Sequence, residues 1–234
     1  MKDRTRAILE FAVRDFIKNG KPITSEYLYE LHDFGIKPAM IRWELNTLAE
    51  AGFFYQEHPS GGRFPSDKAY RYFADTLLAR EAAVEEKEQK CELFVNDMKS
   101  VVQQISEQLR VLSVGYDPKR GTMYGSGLRE LLEHLETETK DELVGVVKDF
   151  EQLEERLTKK RDWWKEGEMW PRVFVGESPV THSDQLSVIA ARYDEGDRTI
   201  LLLSIGPKRM DYQQSVELFK GLKSGKKKKK HNEE

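Results

Sequence analysis

The sequence predicts an α+β protein, helices first and a small antiparallel sheet behind them, and three observations carry that prediction. Residues 1–58 hold short runs of helical period punctuated by Gly and Pro. Residues 91–157 hold apolar stripes at steps of three and four. From Trp170 the pattern changes to short β-rich runs separated by turn residues. The divisions expected are an N-terminal winged helix-turn-helix unit over 1–75, a connecting heptad helix over 76–112, a helix-and-sheet unit over 113–222 and a Lys-rich disordered tail over 223–234.

In the first unit Ile8, Phe11, Ala12 and Phe16 share a helical face, and Asn19, Gly20 and Pro22 end it. Thr24 or Ser25 caps a second helix, "SEYLYELHD", closed by Gly35. Pro38 suits the first position of a third, in which Ile41, Leu45 and Leu48 form the apolar stripe and Gly52 the stop. With "FFYQEHPSGGRF" behind it, the pattern reads as a helix-turn-helix followed by a β-hairpin wing, and a plain three-helix bundle with a loop is the alternative. Advancing about 100° per residue from Ile41 puts Ala39, Met40, Trp43, Asn46 and Thr47 on the opposite face, with Arg42 at its edge. A helix packed for stability alone seldom turns Met and Trp outward. In a major groove, amides read adenine and apolar groups meet the thymine methyl.

Beyond the wing, Ser66 caps a helix that starts near Asp67 and continues into the polar run "AREAAVEEKEQK". Cys91, Val95, Met98, Val102, Ile105, Leu109 and Leu112 then form a heptad stripe. "GYDPKRGTMYGSG", residues 115–127, reads as a loop. A second stripe runs through Leu128, Leu131, Leu132 and Leu135 and, past a break near "TETK", through Leu143, Val146, Phe150, Leu153 and Leu157. The two stripes pack on each other within one chain or on a second chain. "RVFVG", "LSVIAARY" and "RTILLLSIG" are strands, the last two joined at "DEGD", and "DYQQSVELFKGL" is a closing helix.

Composition narrows the function classes. The chain has 234 residues and a formal charge of −3. Residues 1–80 carry 12 Lys/Arg against 11 Asp/Glu, so nucleic-acid binding has to rest on where charges sit and not on net charge. One cysteine, Cys91, excludes an internal disulfide and a cysteine-rich zinc site. No apolar run of membrane-spanning length and no signal-peptide pattern is present, so a cytoplasmic, nucleoid-associated protein without membrane partners is expected. His32, His58, His134, His182 and His231 show no metal-ligand spacing, and neither a phosphate loop nor a serine elbow occurs. Neither catalytic residues, a metal nor a cofactor is expected, and the protein is read as a non-enzyme. "KKKKK" near the end is a solvated tail or a weak electrostatic tether.

"AGFFYQEHPSGGRFPSDKAYRYFAD" resembles the wing and following helix of the bacterial heat-inducible transcription repressor HrcA family. "LLLSIGPKRMDYQQSVELF" resembles that family's closing strand and helix, with its Ile-Gly-Pro-x-Arg-Met-Asp-Tyr signature, and "MYGSGLRELLEHLE" is similar to the segment that enters its later helices. The resemblance implies a winged-helix DNA-binding domain joined to a GAF-like domain, a homodimer on an inverted-repeat operator before chaperone genes, and support by the GroEL chaperonin. Two departures stand out. Lys37, Pro38, Ala39, Met40, Ile41, Arg42 and Trp43 replace a capping serine and Thr-Ile-Arg-Asn, which changes the base-reading face and removes a cap worth about 1 kcal/mol. About a dozen loop residues stand where the family carries further strands and an inserted dimerisation domain, so the sheet unit is expected to be reduced, with too little sheet for a full GAF-type pocket.

The function expected is that of a sequence-specific transcriptional repressor of heat-shock or chaperone genes, bound to double-stranded operator DNA. Met40, Trp43, Asn46 and Thr47 would face base edges, with Arg42 at the edge. Arg63 at the wing tip would reach the minor groove or its phosphates, Gly61 and Gly62 would allow the tight turn, and His58 and Ser60 would contact phosphate. Lys37, Lys68 and Arg71 would neutralise phosphates, and Val95, Met98, Val102, Ile105 and Leu109 would form a dimer seam. The alternative is a protein-interaction adaptor anchored by Met40 and Trp43.

Overall fold

The computed structural model describes residues 1–58, 61–82, 98–135, 139–159, 162–164, 171–195 and 198–222. Three helices come first: α1 (Asp3–Asn19), α2 (Ser25–Leu31) and α3 (Pro38–Glu50). Gly20 ends α1 in the left-handed region, its amide returning to the Phe16 carbonyl. Thr24 caps α2 by accepting from the Tyr27 amide, whereas α3 has Pro38 in its first turn and no side-chain cap at Lys37. Ile8, Leu9, Ala12 and Val13 of α1 close on Leu28 of α2 and on Ile41, Leu45 and Leu48 of α3, as the helical period requires. Glu44 is buried beneath α3, accepting from Thr5 Oγ1 at 2.7 Å and pairing with Arg4 at 3.2 Å, so an ionic latch sets α3 on α1.

Two short strands follow, β1 (Phe54–Tyr55) and β2 (Phe64–Pro65), antiparallel with Phe54 opposite Pro65 and Tyr55 opposite Phe64. Ile23 adds a third rung, because it and Arg63 exchange both backbone hydrogen bonds at 2.8 Å. This link ties the α1–α2 connection to the ladder, and an Ile between Pro22 and Thr24 gives no strand pattern to read. Next comes α4 (Asp67–Ala82).

The rest is a five-stranded antiparallel sheet with helices on both faces. In chain order it comprises α5 (Met98–Leu109), β3 (Leu112–Asp117), β4 (Thr122–Ser126), α6 (Leu128–His134), α7 (Lys140–Glu151) and α8 (Leu153–Lys159). The closing elements are β5 (Arg172–Val175), β6 (Leu186–Glu195), β7 (Arg198–Pro207) and α9 (Tyr212–Gly221). The strand order is β4-β3-β7-β6-β5, with every neighbouring pair antiparallel. α7 opens with a capping box between Thr139 and Glu142, which explains the break at "TETK".

Residues 115–127, expected as a loop, are instead most of the β3–β4 hairpin and the N-cap of α6. The hairpin turns on Asp117, whose carboxylate has no solvent exposure and accepts from the Lys119 and Arg120 amides and from Arg198 Nε at 2.9 Å. Burial alone would raise this carboxyl group, but those three donors outweigh it and hold it below the usual carboxylate range. Glycines and a proline looked like punctuation, while the alternation of Val114, Tyr116 and, across the turn, Met123 was too short to stand out. With β3 and β4 in place the sheet is larger than the sequence led one to expect.

Alternation along the strands gives the sheet two buried faces. Ile200 and Leu202 of β7 point toward α4, α5 and α9, while Leu201, Leu203 and Ile205 point toward α6, α7 and α8. The first of these faces shares a single apolar cluster with α1, α2 and α3, so the first three helices and the sheet are joined by a common core. α4 makes the joint. Arg71 donates to the Val175 carbonyl at 2.8 Å, Asp67 pairs with Lys208 at 2.8 Å, and Lys220 donates to the Leu78 carbonyl at 2.8 Å. Tyr70 rests against Tyr212, whose hydroxyl is tied to Ser187 and to the Lys208 carbonyl.

The heptad stripe also has its partner inside the chain. Met98, Val102 and Ile105 are buried on β3 and β4, with Leu109 partly buried behind them, and Val95 lies outside the described residues. A methyl group on Gly115 would meet Met98 Cγ at 2.6 Å and Val102 Cγ2 at 2.9 Å, so that glycine lets α5 lie close on β3. A dimer seam through Met98, Val102, Ile105 and Leu109 is therefore corrected: the sheet already occupies the stripe.

Candidate nucleic-acid interface

The outer face of α3 holds the residues that spacing assigned to it. Ile41, Leu45 and Leu48 are fully inside, so Met40 and Trp43 point to solvent at 43% and 54% exposure, with Ala39, Arg42 and Asn46 exposed beside them and Thr47 partly covered. Thr47 Oγ1 donates to the Trp43 carbonyl at 3.1 Å, and this leaves its methyl as the more available group. Lys37 is exposed at the helix start. Arg42 reaches back to Glu26 of α2 at 2.6 Å, both side chains being largely exposed. Glu26 sits in the first turn of α2, and its carboxyl is lowered first by its own helix-start amide and by Ser25, then by Arg42.

The ladder behaves differently from expectation. Arg63 lies at its root and not at its tip: it is 7% exposed, forms the Ile23 bridge, and donates Nη2 to Asn46 Oδ1. Burial, and then the charge of Arg42, push its guanidinium pKa down while Glu26 works the other way. The glycine pair misleads because only Gly61 is at the open end. Gly62 already faces the body, where a methyl would meet Pro22 Cβ at 2.5 Å. The next residue is thereby turned inward.

At the open end His58 is exposed, its carbonyl accepts from Gly61, and Gln56 Nε2 donates to the Gly61 carbonyl at 2.7 Å. Ser60 lies outside the described residues. Tyr55, exposed on β1 and stacked on Phe64, joins this side, a contribution that a two-residue strand gave no periodicity to reveal.

Lys68 and Arg71, both exposed, each also have a partner within the chain. Lys68 donates to the Ala51 carbonyl at 2.6 Å and lies over the Phe53 ring, fastening α4 to the end of α3, while Arg71 donates one Nη2 bond to the Val175 carbonyl. The structure thus brings Lys37, Met40, Arg42, Trp43, Asn46 and Thr47 onto one surface, turns Arg63 inward and leaves Lys68 and Arg71 exposed on α4. Among the described residues no His, Cys, Asp and Glu group could hold a metal ion, and no helix is long and apolar enough to cross a membrane.

Comparison with known proteins adds four findings. Residues 68–216 match the family model described as HrcA protein C terminal domain. A heat-inducible transcription repressor HrcA of Thermobifida fusca (strain YX) is 32% identical over 136 residues, 58% of this chain and 40% of that protein. Its counterpart from Kineococcus radiotolerans is 28% identical over 158 residues, 66% of this chain and 46% of that protein, so the chain spans less than half the length of these curated relatives. A crystal structure of a hypothetical protein at 2.2 Å resolution superposes with a TM-score of 0.78 at 16% identity, covering 94% of this chain and 95% of its own, and so shares the fold.

Proposed function

The chain belongs to the HrcA family, and on that premise we propose that it is a transcription regulator that binds operator DNA through a winged helix-turn-helix made of α1, α2, α3 and the β1–β2 ladder. The observation that carries this reading is the outward face of α3. Its apolar stripe is fully consumed by α1 and α2, and its other face is left open over the length that a major groove accepts. Met40 and the Thr47 methyl suit thymine methyls, Asn46 offers an amide for adenine, and Trp43 supplies a broad apolar contact. Lys37, Arg42 and His58 flank the face as phosphate contacts. Arg63 serves by holding Asn46 and the ladder in place. Regulation of heat-shock or chaperone genes, a homodimer on an inverted repeat and support by GroEL follow from the family and remain proposals for this chain.

Selection of duplexes from a random pool tests the reading. An enriched motif, recovered by the native chain and lost on Met40→Ala plus Trp43→Ala, supports it, and an inverted repeat in that motif supports the dimer. Failure to enrich any sequence at low salt by folded protein overturns it. One observation favours a second reading, a protein-binding adaptor: Met40, Trp43, Tyr55, Tyr29 and Leu31 are all large, apolar and exposed on this end of the molecule, a composition typical of protein interfaces.

A further inference from the structure

A cleft of about 780 Å³ opens where α1, α4, the end of α5 and the β7–α9 turn meet, on the sheet's helical-head side. Its apolar wall is Ile17, Phe73, Leu109, Val111, Pro207 and Met210. Its rim is cationic: Arg14 and Lys18, one turn apart on α1, Arg110 after α5 and Arg209 in the turn before α9. Arg14 lies over the Phe11 and Phe73 rings, which holds its charge above the apolar wall. His134, at the end of α6, gives Nδ1 to the Glu130 carbonyl at 2.7 Å, so Nε2 is the nitrogen left for other work.

The lining holds two carboxylates against the four cations. Asp211 caps α9 by accepting from the Gln214 amide, and Glu217 accepts from Gln213. Glu133, whose charge Arg110 feels from α6, is paired first with Arg129 at 2.8 Å. Positive charge therefore dominates the opening.

A second observation points to the same place. Arg110 is the one non-glycine residue with positive φ among the described residues, at 55°. A left-handed Arg directly after a helix is a position where glycine costs less, and such retained strain marks sites where the side chain has a use.

We propose that this cleft binds a small amphipathic organic anion, a carboxylate or phosphate headgroup on an apolar body. Arg110 and Lys18 would receive the headgroup, and Phe73, Leu109 and Met210 the body, while Arg209, which donates to the Ile17 carbonyl, adds charge at the rim. The ligand would bridge α1 to the β7–α9 turn, two parts of the molecule far apart in sequence. The inference goes beyond the DNA reading and is measured without DNA, so either can fail alone.

The test is calorimetric titration of the full chain with octyl phosphate and with octanoate, below their micelle concentrations, and with inorganic phosphate and 1-octanol as half-ligands. Saturable binding of at least one amphiphile, about tenfold or more tighter than either half-ligand, supports the proposal, and the preferred amphiphile assigns the headgroup. Arg110→Gly relieves the backbone while removing the charge: an unchanged or raised melting temperature with about tenfold weaker binding is expected. Lys18→Glu, on the helix surface, weakens binding by a similar factor. No saturable binding to the folded chain, or binding indifferent to both substitutions, overturns it.

Discussion

Two helices of this chain carry apolar residues that sequence alone marks as contact surfaces, and the fold treats them oppositely. On α5, Met98, Val102 and Ile105 disappear into β3 and β4. On α3, Met40 and Trp43 stay in water although the same helix buries Ile41, Leu45 and Leu48. The lesson is that periodicity identifies an apolar face and not what covers it. A heptad stripe fits a sheet as well as a second helix when a glycine such as Gly115 permits close approach, whereas two large apolar residues opposite a filled stripe have nowhere inside to go.

The largest test of that difference is charge insertion. Ile105→Asp places an unpaired carboxylate in the shared core and should cost 4 kcal/mol or more, about the scale at which a domain of this kind loses most of its stability. Trp43→Asp, on the open face, should change the unfolding free energy measured in urea by about 0.5 kcal/mol or less. Equal losses would put Trp43 inside and erase the comparison.

Next in size is the hairpin that covers α5. Asp117→Asn removes the acceptor charge for Arg198 and two amides and should cost about 2 kcal/mol at neutral pH. Because the folded carboxyl titrates below its unfolded value of about 3.9, its contribution is present above that pH and is lost as pH falls through the lower folded value. Unfolding measured from pH 7 to pH 2.5 should show the gap between native chain and variant closing below pH 4. A constant gap would assign the loss to shape and not to charge.

A smaller effect sharpens the α3 side. Arg63→Ala frees Asn46 and loosens the ladder root, which should cost about 1–2 kcal/mol. It should leave the salt dependence of DNA binding unchanged, since a buried guanidinium releases no counterion. A drop of about one unit in the salt slope would return Arg63 to the phosphate.

Much of the architecture could be read in advance from residues whose signals are local. Gly20 and Gly52 as stops, Pro38 as a start, and the outward Met40 and Trp43 follow from spacing, as do the three strands after Trp170. What escaped depends on contacts distant in sequence. Ile23 became a strand rung only through Arg63, and Arg71 found the Val175 carbonyl 104 residues away. The cleft escaped for the same reason, since Arg14, Lys18, Arg110 and Arg209 come from three separate parts of the chain and meet only once α4 has joined the helices to the sheet.

The central claim is that the open face of α3 reads DNA, and fluorescence anisotropy on a duplex selected by the native chain tests it most directly. Met40→Ala plus Trp43→Ala should keep the unfolding free energy within about 0.5 kcal/mol of the native value yet weaken specific binding by about tenfold or more, with the salt slope unchanged because no phosphate contact is lost. Native-strength binding by the double variant, at an unaltered selected sequence, would contradict the account and place recognition elsewhere on the molecule.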